Sequence, residues 1–276
     1  MADGTVYLVG AGPGAPDLIT LRAARLLTGA DIVFHDALVH PDTIALAARA
    51  EKVAVGKRCG AHSTSQRFIN KRLVDAARKH AIVVRLKGGD PMLFGRAQEE
   101  LDALAAAGVT HEVVPGITAA LAASADLKVS LTRRGLSRSV LFATPRSGRE
   151  EQPADWMEPV LAADTGALYM ASHEAKSISR ELMARGRSAS TPVAIVESAS
   201  LPHTQRWLTT LEALSTNGFP EATGPVLVLI GEVYREALEQ QHSVRPLSEH
   251  AGASASASIP AAPRLPAQAL PQRAAV

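Results

Sequence analysis

The sequence predicts an α/β protein built from two halves, each a sheet flanked by helices. Three observations predict it. Short β-branched runs alternate with Ala- and Leu-rich segments whose apolar residues recur at helical spacing. The runs fall into two series of about five, which suits two sheets of ordinary size better than one of ten. Glycine- and proline-bearing turns stand directly after several runs, where a strand hands over to a helix.

Taken in order, the first series places strands at 6–9, 31–35, 52–55, 82–86 and 112–114, and the second at 139–143, 166–170, 192–197, 206–209 and 225–230. Helices are predicted at 18–27, 65–79, 96–107, 174–185 and 232–240, several with an apolar i, i+3, i+4 stripe. This alternation reads as parallel α/β units. The N-terminal domain covers 1–128 and the C-terminal domain 129–241, with a hinge around 128–131. Residues 242–276 are rich in Ala, Ser and Pro without an aromatic, a composition that buries too little surface to offset ordering entropy, so this tail is predicted to be disordered.

Composition restricts the function classes. A chain of 276 residues with 46% hydrophobic content can bury roughly three quarters of its unfolded surface. A net charge of +2 is too small for a nucleic-acid coat, although it permits a local basic cleft for an acidic small molecule. The single Cys59 excludes an intramolecular disulfide. With no basic-then-apolar leader at Met1, it predicts a cytoplasmic protein. No uncharged apolar run has the length of a membrane span, so no membrane partner is expected. His35, His62, His111 and His173 lack metal-ligand spacing, so no metal is expected either.

The stretch VGAGPGAPDL at 9–18 has the glycine spacing of a dinucleotide-binding turn. Such a turn needs backbone N–H groups aimed at a pyrophosphate and a helix starting directly from the glycines. Here Pro13 removes a donor and the APD that follows delays the helix to Asp17 or later, with Asp17 in its first turn. A loop with two prolines is rigid and suits the flat face of a ligand better than a phosphate. Two further turns stand after strands: Gly88-Gly89-Asp90-Pro91 in RLKGGDPMLFGR, and Pro115-Gly116 in VVPGITAA, where Thr118 stands near a helix start. Open α/β sheets bind ligands at the carboxyl ends of their strands, so these loops are expected to share one crevice.

Together GAGPG, VGK-R, RLKGGDP, FGR, VVPGITA and LYM, in this order, resemble the tetrapyrrole methylase family from about Val6 to Val233. The VGK and KGGDP wording is most similar to those members that methylate uroporphyrinogen III. The resemblance implies a class III methyltransferase: two α/β domains with S-adenosyl-L-methionine in the cleft between them, commonly a homodimer. It also implies transfer of methyl groups to two ring carbons of a porphyrinogen, giving precorrin-2 for sirohaem, cobalamin or haem d1 synthesis.

Carried over residue by residue, it implies that Pro13 borders the cofactor and that Gly88, Gly89 and Asp90 contact its amino-acid and ribose portions. Leu93, Thr118 and Ala119 would continue that pocket, and Met170 and Ala199 would line its adenine side. Asp36 falls where the family has a proposed proton acceptor and Lys57 where it has a proton donor. Arg96, Arg134 and Arg58 are the expected partners of the substrate carboxylates, with Glu99 one turn after Arg96 to orient it. Read from the residues alone, Asp36 is equally a loop acid, Arg96 and Glu99 an exposed helix pair, and Met170 a core side chain.

Three other functions remain compatible with the sequence: a methyltransferase acting on a later precorrin, a dinucleotide-dependent oxidoreductase, and a paralogue that binds without turnover. Departures from the family pattern stand at Ala37, Ala97, Gln98, Arg133 and Pro145, and alanine replaces a usual glycine in YMA and in ESAS.

Overall fold

The computed structural model describes residues 4–55, 66–146 and 155–243. Residues 56–65, which include Lys57, Arg58 and Cys59, and those from 244 lie outside the described residues.

All ten expected strands are present. The first sheet comprises β1 (Thr5–Gly10), β2 (Ile32–His35), β3 (Glu51–Ala54), β4 (Ile82–Lys87) and β5 (His111–Val114), in the order β3-β2-β4-β1-β5. Every pairing in it is parallel. Both faces of a parallel sheet are covered, so its strands read as continuous apolar runs. Period two then divides each strand between two cores. Val6, Leu8 and Phe34 pack with Ile69 and Leu73 of α3 (Gln66–Ala77) and Leu104 of α4 (Ala97–Ala106). Val9, Val33, Val84 and Leu86 pack on the opposite face with Ala23 and Leu27 of α1 (Leu21–Gly29).

The second sheet comprises β6 (Val140–Ala143), β7 (Thr165–Tyr169), β8 (Pro192–Glu197), β9 (Gln205–Thr210) and β10 (Val226–Gly231), in the order β6-β7-β10-β8-β9. Here the expected parallel arrangement is overturned: only β6 with β7 is parallel, and β7–β10, β10–β8 and β8–β9 are antiparallel. The loop between β8 and β9 is too short for a crossover helix, and it closes on itself through Leu201 N–H to the Ser198 carbonyl (3.1 Å) and Thr204 N–H to the Leu201 carbonyl (2.9 Å). One face of this sheet is covered by α6 (Met157–Ala162), α7 (Ala175–Ala184) and α8 (Leu211–Asn217). The other is covered by α5 (Ala119–Leu127), which follows the last strand of the first sheet yet buries Ala120, Ala122 and Ala123 against Ala167, Ala194 and Leu229 of the second. The other α-helices among the described residues are the short α2 (Pro41–Ala45) and α9 (Arg235–Ser243).

The helices α2, α5, α6 and α8 were not expected from the sequence. The first, third and fourth span two turns or less, and α5 is an alanine-rich segment with no one-sided stripe. The helix expected from residue 18 begins at Leu21 instead. Residues Pro16–Leu18, with Asp17, form only a 3₁₀ turn, and Thr20 caps α1 by accepting from Ala23 N–H (3.2 Å). Among the described residues no helix is long and apolar enough to cross a membrane.

Candidate functional site

The carboxyl ends of β1, β4 and β5 lie side by side, and glycine lets them meet backbone to backbone. Gly12 and Gly89 pair as an antiparallel bridge, Gly89 N–H donating to the Gly12 carbonyl (2.7 Å) and Gly12 N–H to the Gly89 carbonyl (3.2 Å). A Cβ on Gly10 would stand 2.6 Å from Gly116 Cα, and one on Gly116 would stand 2.2 Å from the Gly89 carbonyl oxygen. The glycines of the first loop thus serve a three-way close approach of loops. They do not start a helix: four residues of loop and a 3₁₀ turn separate Gly12 from Thr20, and the N-terminus of α1 is not joined to them as a phosphate cradle requires.

Asp90 secures this junction. Its Oδ1 accepts from Met92 N–H (2.8 Å) and its Oδ2 from Gly116 N–H (2.9 Å), so the carboxylate ties the 88–92 turn to the β5 loop. Leu93 N–H donates to the Asp90 carbonyl (3.3 Å) within the same turn. Gly88 is exposed, with only Leu38 Cβ near where a Cβ would stand (3.9 Å). Pro13 and Gly14 carry the first loop across to the second half, where a Cβ on Gly14 would meet the Ala199 carbonyl oxygen at 3.1 Å. Ala15 N–H donates to Ser200 Oγ (2.9 Å), and Ser200 N–H donates to Asp126 Oδ2 of α5 (2.7 Å).

The second half contributes the opposite wall. Thr118, the N-cap of α5, meets the Tyr169 hydroxyl at 2.6 Å, and Ala120 N–H donates to the same oxygen (3.1 Å). The Tyr169 ring packs on Phe94 (5.1 Å between centroids) and Phe142 (6.1 Å). Burial raises the Tyr169 phenol above its ordinary pKa, the Thr118 and Ala120 contacts partly opposing this. These contacts join the first loop to Gly89, Ala199 and Ser200, Asp90 to Gly116, and Thr118 and Ala120 to Tyr169, while Leu93 stays within the Asp90 turn and Met170 follows Tyr169. Leu38, Met92, Phe94 and Met170 leave large apolar side chains exposed.

Backbone strain gathers in the same place. Phe94, Arg96, Met170, Ser198 and Ser200 all hold φ between 52° and 69° without being glycine, a conformation that surrounding structure must enforce. The two alanines that replace family glycines are not among them. Ala171 sits at φ −96° and Ala199 is also outside the left-handed region, so neither replacement strains the loop.

The remaining expected residues fall as follows. Asp36 follows β2 on the same sheet edge, its side chain 30% exposed and its Oδ1 paired with Arg85 Nη2 at 2.5 Å. Lys57 and Arg58 lie outside the described residues. Arg96 and Glu99 form a bidentate pair at the start of α4 (2.7 and 2.8 Å), both about half exposed, and Glu99 holds the guanidinium protonated above its ordinary range. Arg134 is exposed on the turn closed by Arg133 and Ser137. Of the departures, Ala97 is buried in the first core and Gln98 bonds Asp102, so the added bulk enters α4 and not the crevice. Arg133 pairs with Glu236 of α9 (2.8 Å). Among the described residues no group of three or more His, Cys, Asp or Glu is placed to hold a metal ion.

Sequence reasoning missed Tyr169, Ser200, Asp126 and the buried charges Arg85, Lys87 and Glu100. Tyr169 stands in the LYM motif beside the expected Met170. The two cations stand within RLKGGDP, but a strand of apolar reading hid that they are core residues.

A family profile of the tetrapyrrole (corrin/porphyrin) methylases matches residues 5–215. The chain is 44% identical to siroheme synthase 1 of Cronobacter sakazakii over 240 residues, covering 86% of this chain and 50% of that protein. The chain spans about half the length of the siroheme synthases it matches. Among solved structures, uroporphyrin III C-methyl transferase from Thermus thermophilus matches with a TM-score of 0.75 and 40% identity over 84% of this chain and 100% of that one. The same enzyme complexed with S-adenyl homocysteine matches equally. A cobalt precorrin-4 methyltransferase of cobalamin biosynthesis matches at 32% identity with a TM-score of 0.71, over 83% of this chain and 95% of that one.

Proposed function

The chain belongs to the tetrapyrrole methylases, and from that membership we propose that it is an S-adenosylmethionine-dependent C-methyltransferase converting uroporphyrinogen III to precorrin-2. The observation that carries this reading is coverage: at 40% identity the chain accounts for the whole of a uroporphyrin III C-methyl transferase that binds S-adenyl homocysteine. In this reading residues 1–128 and 129–241 are two domains, the cofactor occupies the crevice between them, and the protein acts as a cytoplasmic homodimer.

The crevice suits the cofactor chemically. Loops drawn together at Gly10, Gly89 and Gly116 present backbone amides and carbonyls to its polar groups, and exposed apolar side chains such as Met170 offer a face for its base. When bound, S-adenosylmethionine supplies an electrophilic methyl group. The chain's part is to position the acceptor and exclude water, which can supply roughly 7–11 kcal/mol of barrier lowering for well-aligned reactants. Asp36 then accepts the proton that the macrocycle sheds once a ring carbon is methylated, and Lys57 stands where the family places a proton donor. Arg96 uses Nε and Nη2 on Glu99, which leaves the Nη1 donors for a substrate carboxylate, while Arg134 and Arg58 meet others. Each such contact contributes roughly 1.5–3 kcal/mol.

The test supplies purified protein with uroporphyrinogen III and S-adenosylmethionine and follows mono- and dimethylated products by mass, with parallel titration of S-adenosylhomocysteine and NAD(P). Dimethylated product and binding of the homocysteine compound are expected. Dinucleotide binding without it would restore the oxidoreductase reading. Cofactor binding without product on this substrate, but with product on a later precorrin, would move the chain toward the cobalt precorrin-4 methyltransferase.

A further inference from the structure

Asp36 belongs to a set of four charges, three of them buried inside the first domain behind it. Arg85 and Lys87 of β4 are two residues apart, so both point to the sheet face covered by α3 and α4. Each is only 3% exposed. Between them Glu100, in the first turn of α4, is fully buried, its Oε1 accepting from Arg85 Nε (2.9 Å) and Gln66 Nε2 (3.0 Å) and its Oε2 from Lys87 Nζ (3.0 Å). The Arg85 Nη1 reaches the carbonyls of Leu86 (3.2 Å) and Phe34 (3.5 Å), and Nη2 reaches Asp36 Oδ1. Every nitrogen of the guanidinium is therefore held.

Two cations and two carboxylates balance to zero, but a buried ionic set of this kind generally contributes less stability than apolar side chains of the same volume. Burial, followed by the neighbouring Arg85, pushes the Lys87 ammonium below its ordinary pKa, and Glu100 only partly offsets this. Arg85 is held protonated by Asp36 and Glu100, which together outweigh its burial. The most exposed member of the set is Asp36, at the sheet edge that carries the crevice.

We propose that Arg85, locked by Glu100, is a positioning residue that fixes the Asp36 carboxylate by one oxygen and leaves the other, Oδ2, aimed as the proton acceptor. This rests on the reading of Asp36 as the general base. Arg85 is the group suited to the task because its planar fork bridges two carboxylates at once, whereas a lysine ammonium at the same place cannot span both with fixed direction. Glu100 and Gln66 anchor the far side of the fork from α4 and α3. Among the described residues Lys87 also faces Asp36 across the network, and His35 lies beside it, its Nδ1 3.2 Å from the Asp36 carbonyl oxygen.

The test is a double-mutant cycle on the full chain, read as kcat for methyl transfer, with S-adenosylhomocysteine affinity as the report of an intact fold. Arg85→Lys is expected to lower kcat roughly 10- to 100-fold in the natural background and by less than about twofold once Asp36→Asn is present, with cofactor affinity unchanged in both. A residue that only supports the fold would exact the same factor in both backgrounds, and that result overturns the proposal while leaving Asp36 as the base. If Asp36→Asn by itself leaves kcat unchanged, the general-base reading fails and the proposal falls with it. Should Arg85→Lys abolish cofactor binding, Glu100→Gln enters the same cycle: a loss confined to the Asp36 background supports the proposal, and equal losses in both overturn it.

Discussion

The close approach of the three strand ends makes Gly116→Ala the sharpest test of the crevice. A Cβ there would stand 2.2 Å from the Gly89 carbonyl oxygen and 2.9 Å from Gly10 Cα, where ordinary contact begins at 3.4 Å. The shortfall to Gly89 is 3.4 − 2.2 = 1.2 Å. Both neighbours are backbone, so no side chain can swing aside, and the 88–92 turn must withdraw. Withdrawal strains the Gly12–Gly89 pair at 2.7 and 3.2 Å and the Asp90–Gly116 bond at 2.9 Å. Overpacking costs about 1–3 kcal/mol and the strained hydrogen bonds about 0.5–1.5 kcal/mol each, so the variant is expected to lose roughly 2–5 kcal/mol in all.

For a protein of this size that lowers Tm by on the order of 10 °C, and S-adenosylhomocysteine affinity should fall at least about tenfold. Calorimetric unfolding and isothermal titration measure the two. Gly108→Ala is the control: its φ of +69° strains any side chain, but nothing lies within 4 Å and it stands just past the C-terminal end of α4. It should lose about 1 kcal/mol and keep its cofactor affinity. A Gly116→Ala variant that binds S-adenosylhomocysteine as tightly as the Gly108 control would refute the argument that this approach shapes the pocket.

Other perturbations address other walls of the crevice and the core beside it. Tyr169→Phe keeps the contacts with Phe94 and Phe142 but loses the hydroxyl that meets Thr118 and Ala120, so cofactor affinity should drop roughly 5- to 30-fold; an unchanged titration would separate the start of α5 from the pocket. Arg96→Ala should raise the Michaelis constant for the porphyrinogen about tenfold while unfolding free energy moves by less than about 0.5 kcal/mol, because the pair with Glu99 is an exposed i, i+3 contact. Unchanged kinetics would return Arg96 to the surface. Tyr234 is fully buried and its hydroxyl finds no partner among the described residues, so Tyr234→Phe should stabilise by about 1 kcal/mol. Burial raises this phenol above the ordinary value of 10.0; the folded protein keeps the proton where the unfolded chain sheds it. The associated stability is present below pH 10 and lost as pH rises further, so urea unfolding at pH 8 and pH 11 should show a shallower alkaline decline in the phenylalanine variant.

The ten strands were legible because period and β-branching act within a few residues, and the glycine–proline turns after them because a backbone reversal restricts residue choice locally. The direction of β8, β9 and β10 was not, since an antiparallel neighbour and a parallel one impose the same side-chain alternation on a strand. Nor was α5: its alanines show no stripe, because the segment leaves one sheet to pack on the other. Arg85, Lys87 and Glu100 carry no signal of burial either. Charged residues are read as surface unless a partner is known, and their partners come from β2, β4 and α4.

The sequence by itself determined that this is an α/β chain with loops gathered at a sheet edge, and through the order of its motifs it determined the family. Those features are written in spacing along the chain. Only the tertiary structure decided what the glycines are for: Gly10, Gly89 and Gly116 lie far apart in sequence and are required at one point because three backbones meet there. It also decided that Asp36 is held by a buried arginine and that Tyr169, beside Met170, joins the two halves. Contacts across the chain depend on how the sheets face each other, and no local pattern encodes that.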